Sequence, residues 1–437
     1  MQRIMKIAFF RREINPEIGA LVAGYSMTDH SVMIEDDIFM TGLLCDDGEN
    51  KILLISFDLQ ALDEWFIKQY RSSCGEILGI PASSVMFTCT HNHSGPQTIC
   101  EPRYEHLLHR SYMDDLGKKI LEETAKLTEK LQDADCFFYS SNVDENLNRR
   151  YVTPDNHASF LPSYNEMRPL CDGFADKELG CLFFMDPVKK LPLYIIGNYA
   201  AHPLAGHAPG LGGLKISADF PGAFRNYITA QTGAECMFVS GAAGDMIPKE
   251  DELGSDAARQ MGIRLAKAAL RSHIAATRNK DRYCMQNAKV GGLSTKLTVP
   301  LRKKFVDDQS NLPDFYQGSP DITLEIQCIS IGDVCFVGLP GEPCAELGQE
   351  IKWHSPFRRT FIAFASTAYI DYVVPGNFLV SGGYEPRSHH FSARNSINFV
   401  KAAVDATYDL RESVYPSEDE PYPDYIDHPL VWKPGQQ

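Results

Sequence analysis

The chain has 437 residues, 44% hydrophobic and 23% charged, with a formal net charge of −15 and a pI near 5.3. That balance excludes the basic footprint nucleic-acid binding needs and disfavours an anionic membrane surface. Size and apolar content allow a sizeable core.

The N-terminal "MQRIMKIAFFRREINPEIG" holds no apolar run long enough for a signal-peptide core, and no stretch reaches transmembrane length. A cytoplasmic protein without a membrane span is therefore expected. The next apolar run, "KILLISFDLQ" (51–60), has the pattern of a buried strand; 61–79 reads as a helix stopping near Gly79 and Pro81, and "SSVMFTCT" (83–90) as another strand. A mixed-charge helical pattern occupies 104–131. "ELGCLFFMD" and "LPLYIIGNYAA", joined by "PVKK", predict a hairpin, and "AECMFVSG" (234–241) a further strand. Ala257, Met261, Leu265 and Ala269 recur at helical spacing over 255–270, with Ser255 as the expected N-cap. "TLEIQCISIGDVCFVGLP" (323–340) predicts two strands around a Gly-Asp turn, and 393–411 a last helix. Strands, helices and hairpins interleaved in this way predict an α/β fold with mixed sheets flanked by helices. Residues 1–412 are expected to form one domain, followed by an acidic, Pro-rich tail over 413–437. The 12 cysteines show no CxxC spacing, and several, such as those in "VMFTC" and "IQCISI", sit in apolar runs. They are expected to be reduced and buried rather than zinc ligands or a disulfide framework.

Five stretches place polar residues directly after strand-like runs. In "FTCTHNHSGPQ" (87–97), His91 and His93 stand at i and i+2, on one side of an extended chain. By itself HxH leaves a metal site and a polar loop equally open. His202 follows an apolar run and precedes a proline and a loop carrying Gly206, Gly210, Gly212 and Gly213, without P-loop spacing. Asp245 ends a small-residue turn in "FVSGAAGDMIPK" (238–249), where it serves either as a proton carrier or as a turn cap. Glu342, in "FVGLPGEPCAELG" (336–348), would complete a His/His/Glu zinc set. Tyr369 and Tyr372, in "STAYIDYVVPG" (366–376), carry no metal signal by spacing alone. In an α/β fold such strand ends often gather at one edge, where ligands bind.

Taken together and in order, these residues resemble the catalytic domain of the neutral/alkaline, non-lysosomal ceramidase family. The family's HTHSGP is "HNHSGP" (91–96) here, and its strand-end His-Pro is His202-Pro203, with "DKELGCLFFMD" (176–186) similar to the lead-in. Its GDxSP is "GDMIP" (244–248), its PGE is Pro340-Gly341-Glu342, and its YxxY runs from Tyr369 to Tyr372. "NLNRR" (146–150) is similar to its NxNRS segment. The resemblance implies an α/β amidohydrolase using Zn2+, with zinc ligands at His91, His202, Glu342 and Tyr372. It further implies that His93 contacts the substrate or the reacting oxygen, that Asp245 is the general base, and that Arg149 is the active-site arginine. The partner implied is a small-molecule or lipid-like N-acyl substrate. Two departures stand out. Ile247 replaces the family serine and offers no hydrogen bond, and no counterpart of the family's C-terminal β-sandwich is expected. Membrane ceramide itself is therefore not the expected substrate. An esterase or lactonase on the same zinc scaffold, or a non-catalytic ligand-binding protein, are the alternatives. A serine hydrolase finds no G-x-S-x-G elbow around Ser94, Ser217 or Ser240.

Overall fold

The strand Glu178–Met185 shows how this sequence builds its core. Leu182 and Phe184 point into one apolar layer, while Leu179, Cys181, Phe183 and Met185 point into another. Both faces are buried, so the alternation of side chains is hidden in a continuous apolar run. The structure, a computed structural model, describes residues 5–24, 28–99, 109–152, 158–160, 173–206, 214–250, 253–309, 312 and 318–416.

This strand belongs to an eight-stranded sheet. Its order is Glu235–Ser240, Pro192–Tyr199, Glu178–Met185, Gln132–Asn142, Met5–Glu13, Phe39–Asp46, Lys51–Phe57, Val85–Cys89. The two outermost pairs are parallel and the inner ones antiparallel. A four-stranded sheet, in the order Val290–Pro300, Asp321–Ile331, Val334–Gly338, Arg359–Ala363, packs against it; its last pair is also parallel. Met5, Ile7, Leu54 and Met86 of the first sheet meet Val290, Ile329, Phe336 and Phe361 of the second. Helices Glu64–Leu78, Arg110–Ala125, Asp219–Thr232 and Ser255–Arg278 cover the other face of the large sheet. Helices Ala345–His354 and Ala393–Val414 cover the small one. The result is four layers, helix–sheet–sheet–helix, so the mixed α/β architecture expected from the pattern is present.

The expected hairpins and strands are found, with small shifts. Gly332, at φ 58°, makes the turn between the strands ending at Ile331 and starting at Val334. Ser255 is the first helical residue rather than the N-cap, which is Gly254, and its hydroxyl binds the Glu35 carboxylate instead. That helix also continues past 270 to Arg278. The pattern over 104–131 yields a helix only from Arg110 to Ala125, and residues 100–108 lie outside the described ones. The last helix runs to Val414 rather than stopping at 411, and 417–437 lie outside the described residues. All ten described cysteines are free, and nine are buried. Among the described residues no helix is long and apolar enough to cross a membrane.

Candidate metal centre

The ends of the parallel strands meet at one corner of the two sheets, and side chains stitch them there. Thr88 Oγ1 donates to Phe364 O at 2.8 Å, Ser240 Oγ to Thr90 O at 2.7 Å, and Asn198 Nδ2 to both Val239 O and Ile362 O at 2.9 Å. The loops leaving these strands carry His91, His202, Asp245, Glu342, Tyr369 and Tyr372. Convergence of these stretches is thus a consequence of strand order, as the carboxyl-end rule for α/β sheets anticipates.

Each ring is fixed by backbone. His91 Nδ1 lies 3.0 Å from Gln60 O, and His202 Nδ1 lies 3.0 Å from Met246 O. A carbonyl only accepts, so in the neutral rings both δ nitrogens carry the proton and both ε nitrogens present lone pairs. Those lone pairs meet one oxygen. Glu342 Oε2 is 3.4 Å from His91 Nε2 and 3.2 Å from His202 Nε2. His93 closes the group, and ligand atoms of His91, His93 and His202 all lie within 4.8 Å of one another. The four side chains are buried, at 1% exposure for His91, His202 and Glu342 and 8% for His93. Phe364 stands edge-on to His91, with ring centroids 4.8 Å apart.

Strain accompanies this convergence. Six described non-glycine residues have positive φ, and three of them are His91 (64°), Ala365 (45°) and Asp371 (54°) in these loops. Such conformations cost about 1–3 kcal/mol each and persist where surroundings over-determine them. Glu342 and Tyr372 are brought side by side by a two-residue parallel ladder, in which Glu342 N donates to Asp371 O at 2.8 Å. Gly341, at φ 62°, is required there because a Cβ would collide with Asp371 O.

Electrostatics follow from burial. Burial pushes His202 down to about 4 and holds His93 well below its ordinary value, with the neighbouring imidazoles adding to the effect. Burial raises Glu342, and what holds it well below the usual carboxylate range is positive charge on the His91 and His202 side of its carboxylate; with both rings neutral, a cation between them fills that part. An ionised carboxylate oxygen facing imidazole lone pairs is repulsive unless a cation sits among them. Zinc bonds of about 2.0–2.1 Å in a tetrahedron set ligand-to-ligand edges of about 3.3–3.4 Å. The two distances to Glu342 Oε2 match such edges, so the residues fit a zinc ion.

Tyr372 and Arg149 stand next to this group. Arg149 Nη2 donates to the Tyr372 hydroxyl at 3.1 Å and to Gly244 O at 2.9 Å, and its Nε donates to Glu385 Oε1 at 2.9 Å. Arg150 shares Glu385 through Oε2 at 2.6 Å. Asp245 is engaged otherwise than as an open base. Its Oδ1 accepts Ala345 N at 2.8 Å, the first residue of helix Ala345–His354, and its Oδ2 accepts Asn148 Nδ2 at 2.6 Å. Burial raises its carboxyl to about 6. Ile247 is buried in the short strand Met246–Pro248, opposite Leu147. Gly210, Gly212 and Gly213 of the expected glycine loop lie outside the described residues.

Several contributors gave no sign of their role in the local sequence pattern. Tyr369 donates its hydroxyl to Glu342 Oε1 at 2.7 Å. Gly24, at φ 92°, passes so close to His93 that a Cβ would overlap the ring. Glu385, in "GGYEPRS", supplies the acid between the two arginines. Asn148, in "NLNRR", was legible only as part of a resemblance.

No family model matches this sequence, and no curated protein does. Solved structures do. The crystal structure of neutral ceramidase from Pseudomonas aeruginosa superposes with a TM-score of 0.74 at 16% identity, over 94% of this chain and 75% of that one. A ceramidase complexed with C2 gives a TM-score of 0.74 at 15% identity, over 94% and 76%. This chain therefore has a neutral-ceramidase-like fold, with a His91–His93–His202 group able to hold a metal at the corner of its sheets.

Proposed function

We propose that this protein is a zinc-dependent hydrolase that cleaves an N-acyl amide of a small or lipid-like substrate. The observation that carries the reading is the meeting of His91 Nε2 and His202 Nε2 at Glu342 Oε2, at 3.4 and 3.2 Å, with both opposite ring nitrogens tied to carbonyls. His91, His202 and Glu342 would hold the ion and leave a position for water, with Tyr372 as a further ligand beside it. Zinc bound there would supply a Lewis acid for the scissile carbonyl and a water acidic enough to ionise near neutrality. His93, in the same group, faces the reacting centre and moves the proton from water to the leaving amine. Arg149, donating to the Tyr372 hydroxyl, orients that phenol and lends positive charge to the developing oxyanion. Asp245 is better suited to positioning than to proton transfer, because both its oxygens already hold Asn148 and the start of a helix. Residues 1–412 act as one catalytic unit in this reading.

The test is metal analysis of freshly purified protein and of a Glu342→Ala variant, followed by a panel of N-acyl amides, esters and lactones. Zinc in the wild type, its loss in the variant and amide turnover are expected. Absence of zinc, or equal zinc in both, refutes the metal centre. Turnover of esters alone favours the second reading, an esterase or lactonase, for which the buried Ile247 in place of a polar clamp is the specific observation. Retained zinc without turnover points to a ligand-binding protein.

A further inference from the structure

We infer that Asn92 is the positioning residue of this centre, a strut whose side chain sets the aim of both His91 and His93; the inference rests on the metal reading proposed above. Asn92 is fully buried, between the two histidines. Its Nδ2 donates to Ser217 O at 2.6 Å and to Asp58 O at 3.2 Å, and its Oδ1 accepts Ser94 N at 3.0 Å. One planar amide thus uses both its donors on two chain segments and its acceptor on its own loop. Its backbone N donates to Leu59 O at 3.1 Å, next to the Gln60 carbonyl that faces His91 Nδ1.

The two segments gripped by this amide are themselves fixed. Asp58 is paired through both oxygens with Arg225, deep in the core at 2% exposure, and its Oδ2 also accepts Phe39 N at 2.9 Å. Arg225 lies on the helix Asp219–Thr232 that starts just after Ser217. Ser217 N in turn donates to Ser94 O at 3.0 Å, and its hydroxyl donates to Asp36 Oδ2 at 2.6 Å. The chain therefore forms a closed frame: Ser217, its helix, Arg225, Asp58, and back through Asn92. Gly95 packs directly on this strut, where a Cβ would stand 3.1 Å from Asp58 O and 3.5 Å from Asn92 Nδ2.

The frame explains how His91 keeps its left-handed backbone at φ 64°. Such a residue relaxes unless its neighbours are held on both sides, and Asn92 is the neighbour that is held. The resembling family has threonine at this position. A single hydroxyl donor does not replace an amide that serves two carbonyls at once, so threonine in this frame would leave one of them unpaired.

The experiment compares wild type, Asn92→Asp and Asn92→Thr. Asn92→Asp keeps the shape but turns an oxygen toward two carbonyls. Zinc affinity is measured by chelator competition, coordination by the visible spectrum of the cobalt(II)-loaded protein, and folding of the metal-free proteins by circular dichroism. Arg71→Met, which breaks the Arg71–Glu325 pair on another part of the fold, controls for a general loss of stability. Misplaced supporting groups around metal ligands typically cost about 10–100-fold in affinity; that loss, with a changed cobalt spectrum in folded Asn92 variants and an unchanged one in Arg71→Met, is expected. Should Asn92→Asp fail to fold, Asn92→Thr carries the comparison. Wild-type zinc affinity and cobalt spectrum in the folded variants overturn the role of Asn92 and leave the metal centre standing. A wild type that takes up neither ion overturns the metal centre, and the strut with it.

Discussion

The Tyr369 hydroxyl donates to Glu342 Oε1 at 2.7 Å, while the other oxygen of the same carboxylate faces His91 and His202. One oxygen is thereby spent on orientation, and the other is left for the imidazoles and for an ion among them. The phenol does not have to touch the ion to matter, because it fixes which oxygen is presented.

Tyr369→Phe therefore tests the division of labour within Glu342. Loss of an oriented outer hydrogen bond on a ligand costs about 10–100-fold in metal affinity, and that fall is expected with the fold intact. Chelator competition reads it directly. Unchanged zinc affinity would show that Glu342 needs no such support.

His93→Ala separates two assignments that the geometry keeps close together. His91, His93 and His202 have ligand atoms within 4.8 Å, yet it is Glu342 that stands at ligand-edge distance from His91 and His202. With His93 as the proton carrier, the variant retains zinc and loses about 10²–10⁴-fold in kcat. Loss of zinc together with activity would move His93 into the ligand set.

His91 and His202 follow apolar strands almost directly, so their neighbourhood was legible from local pattern. Glu342 and Tyr372 lie instead in a two-residue ladder beyond the strands that precede them. The layered α/β fold was legible too, because runs such as "ELGCLFFMD" are apolar on both faces only when buried between layers. The partners were not legible. Tyr369 and Tyr372 are alike by spacing, and only the ladder pairing Glu342 with Tyr372 distinguishes the residue beside the carboxylate from the one that caps it. Glu385 is 235 positions from Arg150 in the chain, and no local pattern announces that it bridges two arginines. Asp245 reads as base or cap from its turn, and its bonds to Ala345 and Asn148, each about a hundred positions away, have no trace in that turn.

Glu385→Gln follows from that long-range contact. Glu385 is 1% exposed and lies between the guanidinium groups of Arg149 and Arg150. Removing its charge leaves two buried guanidinium groups without their shared counter-ion, and breaking a buried pair in this way costs about 3–5 kcal/mol. A denaturant midpoint lowered accordingly is expected, along with reduced activity because Arg149 also holds the Tyr372 hydroxyl. Wild-type stability would mean that solvent or other groups compensate the arginines.

Asp219 makes stability depend on pH in a direction opposite to that of most paired carboxylates. It is 4% exposed and accepts Gly206 N at 2.7 Å and Phe220 N at 2.6 Å, tying the loop after His202 to the start of a helix. Burial outweighs these bonds and raises its carboxyl from 3.8 to about 6. A carboxyl raised in the folded state binds its proton more tightly there than in the unfolded chain. Its contribution is therefore fully present below pH 3.8 and is lost as the pH rises through about 6. The gap corresponds to about 3 kcal/mol. Asp219→Asn cannot titrate, so the difference in unfolding free energy between wild type and variant is expected to change by about that amount between pH 4 and pH 7, with wild type losing stability relative to the variant as the pH rises. Urea titrations of both proteins across that range measure it. Parallel curves would show that Asp219 stays ionised in the fold, its backbone bonds outweighing its burial.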